Sequence, residues 1–210
     1  MAKVGYIINM ISYEDIKEDT HCEDDEKEIE TSESFSFKFL KTRQIFITGE
    51  VDDEMSKDVV KKLFTLEANG DEPIYIYIDS PGGSVHSGFA IYDAINFIKA
   101  PVYTIGMGAV ASAGCLIYLA APKENRLAFR HSEYLIHQPL SQYRGTAIDF
   151  EIQALNLEKT KNIINNLIAE RTGQPIKKIC KDTDRDFWLT AEEAIEYGIV
   201  NRIVDNRNEI

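Results

Sequence analysis

The sequence predicts an α/β fold of repeated strand-turn-helix units around a largely parallel sheet, and three observations carry that prediction. Ile74-Tyr75-Ile76-Tyr77-Ile78-Asp79 and Val102-Tyr103-Thr104-Ile105 are short runs with apolar or aromatic groups on both faces. Such strands belong inside a parallel sheet covered by helices on both sides. Each run leads into a turn, Ser80-Pro81-Gly82-Gly83 or Gly106-Met107-Gly108-Ala109, and each turn opens a helical stretch, residues 88–99 and 111–120. With 210 residues and 44% hydrophobic content, the chain can bury a core and fits one domain.

In chain order, an acidic segment comes first. Residues 1–34 hold 11 acidic and 3 basic side chains, two thirds of the chain's net charge of -12. A run such as Glu23-Asp24-Asp25-Glu26-Lys27-Glu28 repels itself and has little to bury, so 1–34 reads as a flexible, solvated arm and 35–210 as the folded domain. The acidic balance disfavours a nucleic-acid partner, which needs basic clusters. No apolar run approaches the roughly 20 residues of a membrane span, and residues 1–11 lack a signal-peptide pattern, so a cytoplasmic location is expected. Cys22, Cys115 and Cys180 have no metal-ligand spacing and cannot form a fully paired disulfide set. A reducing compartment is expected, with no metal.

The domain opens with Phe35, Phe37 and Phe39, which alternate either as a half-buried strand or as an aromatic clasp for the arm. Gln44 to Thr48 reads as a strand closed by Gly49. A helix follows from Asp53, with Met55, Val59, Leu63 and Phe64 on one face and Asn69-Gly70 as its stop. Beyond the two central units, Glu133 to Ile136 is a strand and Leu140 to Gly145 an exposed connector. Ala147 to Arg171 is a long helix with Ile148, Ile152, Leu155, Ile163, Ile164, Leu167 and Ile168 as apolar positions, ended by Gly173. Thr190 and Glu193 have capping-box spacing for a short helix ending at Gly198, and 199–204 is the last strand.

The residues able to do chemistry lie on these elements. Ser112 stands where a strand turns into a helix without charged residues, the arrangement of a nucleophile elbow, with unpaired helix N–H groups close by to receive an oxyanion. A serine there is more often a cap or a packing choice. His137, following the strand at 133–136, is the candidate base, and Asp182, Asp184 and Asp186 compete for the third role. Cys115 mimics a thiol nucleophile, but its apolar helical setting suits an inert core residue. His86 reads as a packing or cleft-wall residue, and neither His131 nor His21 is a good base.

Four motifs in order resemble one family: Ser80-Pro81-Gly82-Gly83, Gly106 through Ala113, Ile136-His137-Gln138-Pro139, and Asp184-Arg185-Asp186-Phe187 before Ala191-Glu192-Glu193-Ala194. Residues 43–204 are similar to ClpP, the proteolytic subunit of the ATP-dependent Clp protease. The resemblance implies the repeated β-β-α superhelix of the ClpP/crotonase fold, with the helix after residue 147 as a protruding handle. It implies a serine endopeptidase in which Ser112 is nucleophile, His137 base and Asp186 the orienting carboxylate, with the backbone N–H groups of Gly83 and Ala113 as oxyanion hole. It also implies two stacked heptameric rings of identical chains, fed with unfolded polypeptide by an AAA+ unfoldase that uses the ATP, with no cofactor bound by this chain. Departures from the family are Ser141-Gln142, where a glycine pair is usual, and the acidic approach over 28–34. They keep open a catalytically weak ring subunit that needs an active paralogue; a crotonase-type acyl-CoA enzyme is the other alternative.

Overall fold

Three strand-helix units in succession lay down adjacent strands from one edge of the sheet inward: β1 (Gln44–Val51) and α1 (Asp53–Ala68), β2 (Ile74–Gly83) and α2 (Val85–Phe97), β3 (Val102–Ala111) and α3 (Ala113–Tyr118). The structure is a computed structural model that describes residues 38–210. The arm over 1–34 and the readings placed on Phe35 and Phe37 lie outside those residues. Phe39 sits in a helical turn rather than a strand, its ring 5.6 Å from that of Phe46. Strands β1, β2 and β3 are parallel neighbours. Strands β4 (Arg126–Ala128) and β7 (Arg202–Ile203) extend the order to β1-β2-β3-β4-β7. Strand β5 (Glu133–Ile136) runs parallel to the end of β3, and β6 (Phe187–Thr190) returns antiparallel to β5.

Local chemistry fixes most boundaries. The Asp52 side chain accepts from the Met55 N–H to start α1, and Asp53 and Glu54 favour the positive end of that helix. Its buried stripe is Val59, Leu63 and Leu66; Phe64, one residue off that stripe, is 42% exposed and meets Phe97 edge-on. Three stretches expected to turn or end a strand are strand instead, the first being Ser80-Pro81-Gly82-Gly83, which continues β2 because Gly82 and Gly83 pair with Glu50 and Val51. Strand β1 passes Gly49 with a register shift and continues to Val51, and β3 continues through 106–109 to Ala111. The reason lies in pairing: Gly106 is opposite Ile78 of β2, and Ala109 is opposite Glu133 of β5, so the backbone there is held from two sides. Gly106 also leaves the space that the Tyr134 hydroxyl fills.

The sheet is not covered equally on its two faces. Ile74, Ile76 and Ile78 are fully buried in one cluster with Val59, Leu63, Ile91 and Ile95. Each such side chain contributes about 1.5–3 kcal/mol. The alternate residues Tyr75 and Tyr77 are only half-buried, stacked on Tyr103 and Phe46, and Phe46 and Phe129 remain exposed. Helices on both sides of β2 are therefore not what this chain has among its described residues.

Helix α4 (Ala147–Thr172) starts with a capping box between Thr146 and Asp149 and ends at a left-handed Gly173. Its buried residues, Ile164, Asn165, Ile168 and Thr172, all lie in its second half. Ile148 is 70% exposed and Ile152 and Leu155 are half exposed, so the first half projects from the domain as a handle. Helix α5 (Ile176–Asp182) and helix α6 (Ala191–Tyr197), with its Thr190–Glu193 capping box, complete the fold. Among the described residues no helix is long and apolar enough to cross a membrane.

One buried arginine ties these pieces together. Arg126, 2% exposed, donates to the carbonyls of Ala121, Arg171, Gly198 and Ile199, just beyond or within the last turns of α3, α4 and α6. Carbonyls without intrahelical partners collect at such ends, where a cation is favoured.

Candidate active site

Sheet register delivers the three polar side chains to one point. Ala111 pairs with Leu135, and the Ser112 N–H adds one more rung by donating to the Leu135 carbonyl at 3.0 Å. Ile136 pairs antiparallel with Phe187. The residue after Ile136 therefore stands opposite the residue before Phe187, which makes His137 and Asp186 neighbours by geometry alone. Ser112 Oγ lies 2.8 Å from His137 Nε2, and His137 Nδ1 lies 2.9 Å from Asp186 Oδ1. An ionised carboxylate only accepts, so Nδ1 carries the proton toward Asp186 and Nε2 is left to accept from the Ser112 hydroxyl.

Ser112 holds φ 54 and ψ -121, and only one other described non-glycine residue, Arg43, has a positive φ. This sharp elbow is backbone strain of the kind that collects at functional sites. It is possible because the facing loop has no side chain. A Cβ on Gly82 would stand 2.5 Å from Ser112 Cβ and 3.0 Å from the Ala113 nitrogen. Ala113 opens α3, so its N–H has no intrahelical acceptor. Gly83 has φ 147, and a Cβ there would strike the backbone of Val51. The elbow, the glycine loop and the start of α3 thus close on one another.

Beside Ser112 is a cleft lined by Val85, Leu116, Ile136, Pro139, Ile164 and Ile168, an apolar wall next to a polar trio. Cys115 also borders it but is 1% exposed. Burial pushes its thiol up to about 12, with the Arg126 charge pulling only partly the other way, so little thiolate forms near neutrality.

The other sequence candidates stand elsewhere. His86 is exposed rather than packed, and His131 is exposed too. Asp184 is exposed, with Lys161 Nζ 3.9 Å away. Asp182 does not face solvent. Its side chain is 13% exposed and accepts from Lys178 at 2.7 Å and Tyr197 at 2.7 Å. Burial raises its carboxyl, and these hydrogen bonds with the nearby lysine charges overcome that effect and hold it below the usual carboxylate range.

Two supports were not read from sequence. Gln138 donates from its backbone N–H to the Thr183 carbonyl at 2.6 Å and from its side chain to the Asp184 carbonyl at 2.6 Å, while Lys161 of α4 donates to the Gln138 side chain at 3.0 Å. Ser80, fully buried, bridges Gly49 of β1 and the glycine loop. The adjacency of Gln138 to His137 was a signal for the first; a serine before Pro-Gly-Gly signals little beyond a turn.

Comparison with known proteins places the chain in a family. The family model described as Clp protease matches residues 26–207. The chain belongs to the Clp protease family. A Treponema denticola protein, "ATP-dependent Clp protease proteolytic subunit 2", is 56% identical over 174 residues, 82% of this chain and 87% of that protein. The Treponema pallidum protein of the same name is 51% identical over 183 residues, 86% of this chain and 92% of its own length. Among solved structures, a ClpP1 mutant from Listeria monocytogenes superposes with a TM-score of 0.78 at 47% identity, covering 83% of this chain and 98% of that one. The α/β superhelix with its handle is thus the Clp protease fold, as the motifs implied.

Proposed function

We propose that this chain is the serine endopeptidase subunit of an ATP-fed, self-compartmentalised protease that cuts unfolded proteins to short peptides. The observation that supports it most is the hydrogen-bonded series Ser112, His137, Asp186. Ser112 Oγ attacks the peptide carbonyl while His137 Nε2 takes its proton. His137 then gives that proton to the leaving amine, and the acyl group stays on Ser112 until water, activated by the same imidazole, releases it. Asp186 keeps the tautomer and stabilises the imidazolium. The Gly83 and Ala113 N–H groups receive the oxyanion. The cleft beside Ser112 favours substrates with an apolar side chain next to the cut bond.

The family supports the rest of the proposal. Two heptameric rings of identical chains stack through their handles, enclose the sites, and receive polypeptide from an AAA+ unfoldase that hydrolyses the ATP. The assembly works in the cytoplasm, without nucleic acid or membrane partners and with no cofactor in this subunit. A serine-directed fluorophosphonate tests the reading: one label at Ser112, with turnover of short peptides that stops on labelling and in Ser112→Ala. An unlabelled, inactive chain that becomes active only beside a paralogue would be the weak ring subunit. Turnover of acyl-CoA thioesters without peptide cleavage would be the crotonase-type enzyme.

A further inference from the structure

We infer that Ser80 is a positioning residue for peptide cleavage, acting through the Gly82-Gly83 loop rather than on substrate. This inference rests on the serine-peptidase reading above. The Ser80 hydroxyl is completely buried, donates to the Gly49 carbonyl at 2.6 Å and accepts from the Gly82 N–H at 3.1 Å. Gly49, with φ 86, is the single residue of β1 that faces Ser80 and Pro81 of β2, where the register of the two strands shifts. The hydroxyl is therefore a clip between an irregular point of the neighbouring strand and the first glycine of the loop.

What the clip holds is a glycine backbone at the end of β2, where Gly82 and Gly83 also pair with Glu50 and Val51 of β1. Gly82 and Gly83 have φ 94 and φ 147, conformations that glycine enters easily and leaves easily. The far side of the loop is pinned by the Ser84 N–H, which donates to the Val51 carbonyl at 2.7 Å, and by the Val51–Gly83 pair. The near side is pinned by Ser80. With the Gly82 N–H committed to the Ser80 oxygen on one side and Gly83 and Ser84 held by Val51 on the other, the dihedrals of Gly82 are bracketed, and with them the direction of the Gly83 N–H between the two anchors.

The loop's position matters to the elbow as well as to Gly83. Gly82 lies against Ser112 Cβ and the Ala113 nitrogen, and a Cβ on Gly114 of α3 would stand 3.1 Å from Ser80 Cβ. Ser80 thus touches the nucleophile helix on one side and the loop on the other. Its loss leaves the donor present but misaimed. Removing an oxyanion donor outright costs about 10²–10³ in kcat, and a misplacement of about 1 Å costs up to about 10².

The test uses the full-length assembled protein. Competent sites are first counted by fluorophosphonate labelling of Ser112, and kcat is expressed per labelled site, so that a merely unfolded fraction drops out. Ser80→Ala is expected to lower kcat per site by about 10- to 100-fold with KM changed less than about twofold. The inhibition constant of a peptidyl boronate, whose tetrahedral adduct needs the oxyanion donors, should rise by a similar factor. Ser80→Cys keeps the shape with a weaker donor and should fall between the two, which serves if the alanine variant fails to assemble. Wild-type kcat per site in either assembled variant, or a change in KM alone, overturns the inference. Failure of wild-type Ser112 to label or turn over peptide would instead remove the peptidase reading, and this role with it.

Discussion

Asp184 and Asp186 stand two residues apart in one motif, and strand register separates them. Both are exposed, but pairing of Ile136 with Phe187 puts Asp186 at 2.9 Å from His137 Nδ1, whereas Asp184 has Lys161 beside it. Asp186→Asn is therefore expected to cut peptide turnover about a thousandfold or more while leaving the fold intact, because an amide can present its N–H to the imidazole and favour the wrong tautomer. Asp184→Asn should keep turnover within a few-fold; the reverse pattern in steady-state kinetics would sink the assignment. Asp182 belongs to stability instead. Its folded pKa lies below the unfolded value of about 3.9, so its contribution is present above that pH and is lost as pH falls through the folded value. Chemical denaturation of Asp182→Asn from about pH 7 down to pH 3 should show the loss at neutral pH and convergence with wild type in acid. A constant difference at every pH would contradict that role. Cys115→Ala removes a small buried group whose thiol stays protonated, and should cost little activity and a modest packing penalty of about 1 kcal/mol.

The elements show where local signals suffice and where neighbours decide. The start of α1 at Asp52, the capping boxes at Thr146 and Thr190, the left-handed ends at Gly173 and Gly198, and β5 from Glu133 to Ile136 all follow signals within a few residues of each boundary. The stretch 106–109 reads as a turn in isolation and is strand because β2 and β5 both pair with it. Asp182 competes with Asp184 and Asp186 in sequence and is set apart by Tyr197, 15 residues away, which donates to it. Ser112, His137 and Asp186 were legible because their motifs are distinctive, but the clip at Ser80 depends on Gly49, 31 residues earlier. Arg126 is the extreme case, a charge buried among carbonyls at the C-terminal ends of three helices. Arg126→Met should destabilise the domain by about 3 kcal/mol or more, since several buried carbonyls lose their donor together at about 1–3 kcal/mol each. Urea denaturation checks this, and a change under about 1 kcal/mol would show that water replaces the guanidinium at no great cost.

At the scale of the whole molecule, the distribution of exposed apolar groups points away from a solitary chain. Ile148, Phe150, Ile152, Leu155 and Ile163 are each at least half exposed along one helix, and Phe150 packs edge-on against Tyr143 of the connector. Lone exposed apolar residues are ordinary, but a contiguous set on a projecting helix marks an interaction surface. The domain's own core takes only the second half of α4, so the first half contributes little to folding and is free to contribute to assembly. Under the proposed stacking of two rings through their handles, each buried large side chain would favour association by about 1.5–3 kcal/mol, repeated at every subunit. Ile152→Glu combined with Leu155→Glu should then yield a particle of half the mass in native mass spectrometry and sedimentation. The thermal unfolding of the chain and its far-ultraviolet spectrum should change little, because neither side chain is in the core. Retention of the full-size particle by the double variant would remove the handle from the interface, whereas loss of the folded chain itself would mean that α4 supports the domain along its whole length.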